Sequence, residues 1–382
     1  MKRRTDFLNF GIHQADAEGF RCDKSISSFF GTFIQARHTA TFNPRINAPC
    51  SFVMKNVLVT GGTGLLGNNI VRELLNQNFN VTVAVRASSD KKPFEGLDVT
   101  RVEVDFHNAR SVAGSLHNID TVIHSAGFIW FGWRKLEQSR QVNVGITELL
   151  AKQCLEKQIR LVHISSLDAL PVGLNGEVMD EESPGSPKVQ CNYVVSKIEA
   201  DAVVKSLFAE GLSGCIVHPG LMFGPHDWKP SSGELIQTIA KMGIWFSVPT
   251  GGISVADVRD VASGAIAAAE KGQTGRQYIL GGENISYKNL CRIIAEKCGV
   301  WTPRGRTGPA AYLVAALVGG INGLFGRETM INTAAIGMAR HWHFYSSERA
   351  QSELGYTVRD LNQSLDDEID WLIENNMIHI RK

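Results

Sequence analysis

An apolar run, Val57-Leu58-Val59, leads directly into Thr60-Gly61-Gly62-Thr63-Gly64-Leu65-Leu66-Gly67. That stretch leads into Asn69-Ile70-Val71-Arg72-Glu73-Leu74-Leu75, which has a helical pattern. Strand, glycine-rich turn and helix in this order form the layout of a dinucleotide phosphate cradle. The first amides of a helix have no internal partner and carry partial positive charge, so a pyrophosphate can rest on them. Glycine lets the backbone turn sharply and approach closely. The spacing is G-x-x-G-x-x-G rather than the more familiar G-x-G-x-x-G. The cradle reading assigns cofactor contacts to Gly61, Thr63, Gly64, Leu65, Leu66 and Gly67. A plain tight turn is the competing explanation.

Downstream, strand-like and helix-like segments alternate. Residues 81–85, 99–104, 120–124, 160–164, 214–218 and 277–280 read as strands, and 142–157 as a helix. This predicts an α/β fold with a doubly wound, mostly parallel sheet. The expected core spans 54–225, with 255–281 returning to it. Residues 226–254 and 282–382, where the alternation weakens, are expected to form a smaller substrate lobe and C-terminal helices. There Leu361, Leu365, Ile369 and Leu372 share one helix face. The first 53 residues hold eight of the 18 phenylalanines but no sustained period. They read as a poorly ordered extension, with Met54 as an alternative start.

A net charge of +1 gives no reason to expect nucleic acid as a partner. Seven cysteines without a C-x-x-C pair point away from a structural metal and towards a reducing cytoplasm. The apolar stretch 309–325 is short for a membrane span and contains three glycines. It reads as a buried or partner-facing helix, with membrane contact as the weaker alternative.

Arg86 falls nineteen residues after Gly67, at the end of the second strand. An acid near this place would hold a ribose 2′-hydroxyl, whereas an arginine can pair with a 2′-phosphate. NADP(H) is therefore favoured, with NAD(H) as the alternative. Tyr193 and Lys197 are four residues apart and share a helix face. A lysine ammonium beside the phenol, together with the positive nicotinamide ring of an oxidised cofactor, is expected to lower its pKa, suiting Tyr193 to exchange a proton with a carbonyl or alcohol oxygen. Ser166, with Ser165 as second choice, ends the fifth strand, where a hydroxyl can steady that oxygen. Trp130, Phe131 and Trp133 suggest an apolar ring-shaped ligand or a packed lid.

The set TGGTGLLG, HSAG (124–127), VNVGITELL (142–150), HISS (163–166), YVVSK (193–197) and HPGLMFGP (218–225) resembles the extended short-chain dehydrogenase/reductase superfamily. Within it, VRASSDKKPFEGLDV (85–99), GPHDWKPSSGELI (224–236), ILGGENIS (279–286) and FYSSERAQSELGY (344–356) resemble the dihydroflavonol-reductase-like branch and its hopanoid-associated sugar epimerase group. The resemblance implies a Rossmann sheet and a catalytic set of Ser166, Tyr193 and Lys197 supported by Asn143. It also implies cofactor contacts at Asp105, Ala126, Gly127, Tyr193, Lys197 and Pro219, and a homodimer through 142–157 and 193–208. Asp257 and Asp260 would reconnect the lobes structurally. Sugar-nucleotide epimerases carry an asparagine where this chain has Leu221, so the expected substrate shifts to a smaller or more apolar carbonyl or alcohol. The resulting expectation is an NADP(H)-preferring oxidoreductase acting on a ketone or secondary alcohol. A sugar epimerase or dehydratase that retains NAD, and a non-catalytic cofactor sensor, are the alternatives.

Overall fold

The computed structural model describes residues 54–242, 248–302 and 332–380. The segments 1–53 and 309–325 singled out above lie outside them.

The first strand, β1 (Asn56–Thr60), buries Val57, Leu58 and Val59 completely. Continuously apolar strands need cover on both faces, which a parallel sheet with flanking helices supplies. Strands β2 (Asn80–Val85), β3 (Thr100–Glu103), β4 (Thr121–His124), β5 (Arg160–Ile164) and β6 (Gly214–Pro219) add to it in parallel. Beyond a short β7 (Leu221–Phe223) and β8 (Gly252–Asp257), β9 (Gln277–Leu280) joins β6, also in parallel. The seven strands lie in the order β3-β2-β1-β4-β5-β6-β9. The direction of winding reverses between β1 and β4, and ligands of such sheets bind beyond the strands' carboxyl ends at that point.

Helices cover both faces. On one, α1 (Leu65–Asn76) packs against α7 (Val258–Lys271) through Ile70, Val71, Val261 and Ala265, all fully buried. On the other, Leu150, Ala151 and Cys154 of α4 (Ile146–Lys157) and Leu207 of α5 (Asn192–Ala209) meet Leu58, Val122 and Leu161. A single π-helical turn, Gln141–Gly145, precedes α4. Such turns insert one extra residue and often mark functional positions.

A second sheet was not foreseen. β8 pairs in parallel with β7 and with β11 (Trp342–His343), and antiparallel with β10 (Glu283–Ser286). With α6 (Gly233–Met242), α8 (Tyr287–Lys297) and the C-terminal helix Leu361–Glu374 it encloses a separate apolar cluster. Leu361, Leu365, Ile369 and Leu372 fill it, as their spacing predicts. Asp257 caps α7 by accepting from the Arg259 amide at 2.8 Å, and it also binds the Arg259 and Arg359 guanidinium groups. Asp260 accepts from the Arg359 amide at 2.6 Å. No helix among the described residues is long and apolar enough to cross a membrane.

Candidate active site

The glycine turn follows β1 and packs against the chain leaving β4. Gly61 has φ +72°, and a Cβ there would lie 2.6 Å from the Ala126 amide nitrogen. A Cβ on Gly67 would lie 2.3 Å from the Gly61 carbonyl oxygen. The helix starts at Leu65, and its N-cap, Gly64, offers no side chain to the first amides. Leu65 and Leu66 bury their side chains in the core, so only their main chain faces the turn. Thr63 is half-buried there. Asn68 fixes the turn from behind, donating to the Gly62 and Pro93 carbonyls at 3.1 and 2.9 Å. The Thr60 hydroxyl accepts from the Ala126 amide at 3.2 Å and contacts His124 Nδ1 at 2.7 Å. A close, side-chain-free backbone at an uncapped helix start fits a dinucleotide pyrophosphate.

Gly67→Ala is therefore expected to weaken dinucleotide binding by about 10- to 100-fold, because overpacking costs about 1–3 kcal/mol. Fluorescence titration checks this, and wild-type affinity in the variant would refute it.

Tyr193 occupies the first turn of α5 and is 7% exposed. Its hydroxyl is near enough to Ser166 for the serine to pull the phenol's pKa down, and its ring meets Phe131 edge-on at 5.2 Å. Ser166 follows β5 directly, and its Oγ also accepts from the Asp168 amide at 3.1 Å. Ser165 is buried and donates its amide to Val217. Lys197 lies one turn after Tyr193 and donates from Nζ to the Ile164 carbonyl at 3.0 Å. A Cβ on Gly127 would sit 3.7 Å from that Nζ and 3.5 Å from Asn143 Oδ1, which brings the β4 loop, Lys197 and Asn143 together. Asn143, in the π turn, clamps Phe128 from both sides: Oδ1 accepts from its amide at 2.7 Å, and Nδ2 donates to its carbonyl at 2.9 Å. Nδ2 also donates to Ser196 Oγ at 2.9 Å. By these contacts Asn143 positions the loop.

The electrostatics correct one expectation. Burial, reinforced by the Asp168 charge, holds the Tyr193 phenol above its ordinary value, against a smaller downward pull from Ser166. The Lys197 ammonium is directed to a backbone carbonyl and does not reverse this. Burial lowers Lys197 itself to about 8, with Asp201 opposing. Within the chain's own field, Tyr193 is a proton-bearing phenol.

Behind this group lies a buried row that sequence reasoning missed. His124 and His163 are paired across β4 and β5 and stack at 5.7 Å, with His218 on β6 beyond them. Asp201, one turn after Lys197, lies 3.4 Å from His163 Nε2 and 3.9 Å from His218 Nδ1. His218 Nδ1 also lies 3.0 Å from the Ser166 carbonyl. The available signal was a histidine at or near the end of each of three strands whose central residues are apolar.

A second missed group adjoins Ser166. Asp168 Oδ1 lies 3.5 Å from Lys188 Nζ and 3.4 Å from His343 Nδ1. Lys188 also donates to the Leu167 carbonyl, and His343 Nε2 meets the Met338 carbonyl at 3.0 Å.

The remaining predicted residues surround the cradle. Arg86 is exposed beyond β2, and its guanidinium has no partner among the described residues; its amide donates to Ser89 Oγ at 3.0 Å. Asp105 is exposed after β3 and accepts from the His107 amide. Ala126 and Gly127 follow β4, and Pro219 ends β6. Leu221 packs into the second cluster. Phe131 packs on Tyr193, Lys135 lies over Trp130, and Trp133 donates to Thr333.

The model of a family described as the NAD dependent epimerase/dehydratase family matches residues 57–281. A Synechocystis sp. protein provisionally described as a dihydroflavonol 4-reductase is 31% identical over 82% of this chain and 93% of its own length. Sterol demethylase protein B of Methylococcus capsulatus is 29% identical over 84% of this chain and 99% of its own. Among solved structures, gox2253 superposes with a TM-score of 0.74 at 29% identity, covering 85% of this chain and all of its own.

Proposed function

The chain belongs to the NAD dependent epimerase/dehydratase family, and from that premise we propose that it is an NADP(H)-preferring oxidoreductase acting on a ketone or secondary alcohol. The observation that carries the reading is the convergence of Ser166, which follows β5, with the Tyr193 helix, whose Lys197 one turn on donates to the Ile164 carbonyl at the end of that strand and approaches Gly127 beside the glycine cradle. When bound, the nicotinamide supplies or accepts the hydride. Ser166 holds the substrate oxygen. Tyr193 gives that oxygen its proton in reduction and takes it back in oxidation. Lys197 stabilises the phenolate that remains and holds the nicotinamide ribose. Asn143 keeps the Phe128 segment and the Lys197 helix in register. The amides of the cradle would hold the pyrophosphate, Asp105 would contact the adenine, and Ala126, Gly127 and Pro219 would border the dinucleotide.

Residues 226–254 and 282–382 form the substrate side in this reading. An apolar ring substrate is supported by Phe131 against Tyr193 and by Leu221 in the place of a polar anchor. The homodimer would use the helices at 142–157 and 193–208, where Ile198 is 40% exposed. The buried free cysteines suit a reducing cytoplasm.

The unpaired Arg86 guanidinium supports NADP(H). NADPH is expected to bind about tenfold or more tightly than NADH, as one charge-assisted phosphate contact provides, and Arg86→Ala to remove the difference. Equal affinities in the wild type refute the preference. Turnover of a carbonyl and alcohol panel with free cofactor tests the reaction. Protein purified with stoichiometric, non-exchanging NAD would overturn it in favour of an epimerase.

A further inference from the structure

Asp168 sits two residues past Ser166, the Ser166 hydroxyl accepts from the Asp168 amide at 3.1 Å, and the Asp168 charge raises the Tyr193 phenol. The carboxylate therefore belongs to a residue whose main chain is bonded to the Ser166 hydroxyl. Its two oxygens are used unequally. Oδ1 faces both Lys188 Nζ and His343 Nδ1, whose side chains are 1% and 3% exposed. Oδ2 has no hydrogen bond among the described residues, and the Asp168 side chain remains 19% exposed. Both side chains are anchored from behind, Lys188 on the Leu167 carbonyl and over the Tyr345 ring, His343 on the Met338 carbonyl. The carboxylate is thus fixed on one side and open on the other.

We propose that Asp168 is a specificity-determining residue, whose free Oδ2 accepts a hydrogen bond from a hydroxyl carried by the substrate beside its reacting carbon. The inference deepens the oxidoreductase reading and rests on it. Lys188 and His343 hold Asp168 down at about 2 against its burial, so at neutral pH it is a permanent anion. It is too weak a base to take a proton and too acidic to hold one. Its remaining capacity is to accept, and a fixed charged acceptor recognises a neutral hydroxyl while repelling a carboxylate or phosphate at the same place. A substrate without the hydroxyl would cover Oδ2 and leave it unpaired, which sites built around polar groups reject.

The test compares 2-hydroxy-1-tetralone with 1-tetralone. Dissociation constants are measured by ligand-observed NMR on the full chain with the redox-inert 1,4,5,6-tetrahydronicotinamide dinucleotide present, so neither reduction nor oxidation occurs. The wild type is expected to prefer the hydroxyketone by about 10- to 100-fold, the range of a hydrogen bond to a charged group. In Asp168→Asn that ratio should collapse towards one, whereas a merely structural role would weaken both ligands alike. A wild-type ratio below about twofold overturns the inference without any variant, so a poorly folding Asp168→Asn does not shield it. A ratio retained in the variant also overturns it. Turnover is measured separately with reduced cofactor: binding preference without reduction refutes the oxidoreductase reading while the Asp168 contact stands.

Discussion

Tyr193→Phe is expected to lower kcat/KM by about 10³-fold, within the range supplied by a positioned general acid, while leaving dinucleotide affinity nearly unchanged. The substitution removes one hydroxyl from a side chain whose ring already packs on Phe131, so the fold has little reason to move. Neither Asp168 nor Ser166 can replace the lost proton. Asp168 is held near 2 by Lys188 and His343 and carries none at neutral pH. Ser166 is committed as an acceptor for the Asp168 amide, and its own proton has no base within the trio once the phenol is gone. Burial raises the phenol, which keeps it protonated, and the charge left after transfer must be met by Lys197. Burial holds that lysine at about 8, so activity should fall as pH rises through 8 and the ammonium is lost. Steady-state rates across pH 6–10 with both proteins check the pair of statements. Wild-type turnover in Tyr193→Phe refutes the mechanism, and a rate flat through pH 8 removes Lys197 from it.

The parts legible in the sequence are those whose cause is local. The run of β1, the turn at Gly61, Gly64 and Gly67, and the four-residue step from Tyr193 to Lys197 each sit within one element or one turn. The second sheet has no such signature. β8 takes partners from 221–223, 283–286 and 342–343, and two of those strands are three residues or fewer. Asp168, Lys188 and His343 come from three separate segments, so no spacing announces them. Asn143 was identified, but its clamp on Phe128 depends on a π turn that interrupts an expected regular helix. The share of the expected Tyr193 pKa lowering that falls to Lys197 alone is outweighed within the chain for a related reason. Helical spacing brings two residues to one face but does not set burial, and burial decided the direction of the shift.

Glu368 is the residue whose misfit was visible and overlooked. It stands between Leu365 and Leu372 on the apolar face of the C-terminal helix and is fully buried. Its Oε2 accepts from the Gly224 amide at 2.6 Å, while Oε1 has no hydrogen bond among the described residues. Asp227 is buried opposite it. Its Oδ2 accepts from the Ser231 and Gly233 amides, and its Oδ1 is likewise without a bond. A Cβ on Gly233 would fall 2.4 Å from Glu368 Oε1 and 2.8 Å from Asp227 Oδ2, so the two carboxyls flank that glycine. Burial, and then the Asp227 charge, raise Glu368 to about 9, and burial raises Asp227 to about 6.

A carboxyl raised on folding binds its proton more tightly in the native state. Its contribution to stability is therefore complete below the ordinary Glu value of about 4.3 and declines as pH climbs towards about 9. At pH 8 the wild type carries a penalty that Glu368→Gln does not. The amide keeps an acceptor for Gly224 and places a donor towards Asp227. The variant is expected to be more stable than the wild type at pH 8 by about 2–3 kcal/mol, with a Tm several degrees higher, and the difference should shrink towards pH 5. Urea unfolding at pH 5, 6.5 and 8 measures it. A variant less stable at every pH, or a wild type whose stability does not fall over that interval, would show that the Glu368 carboxyl ionises without cost.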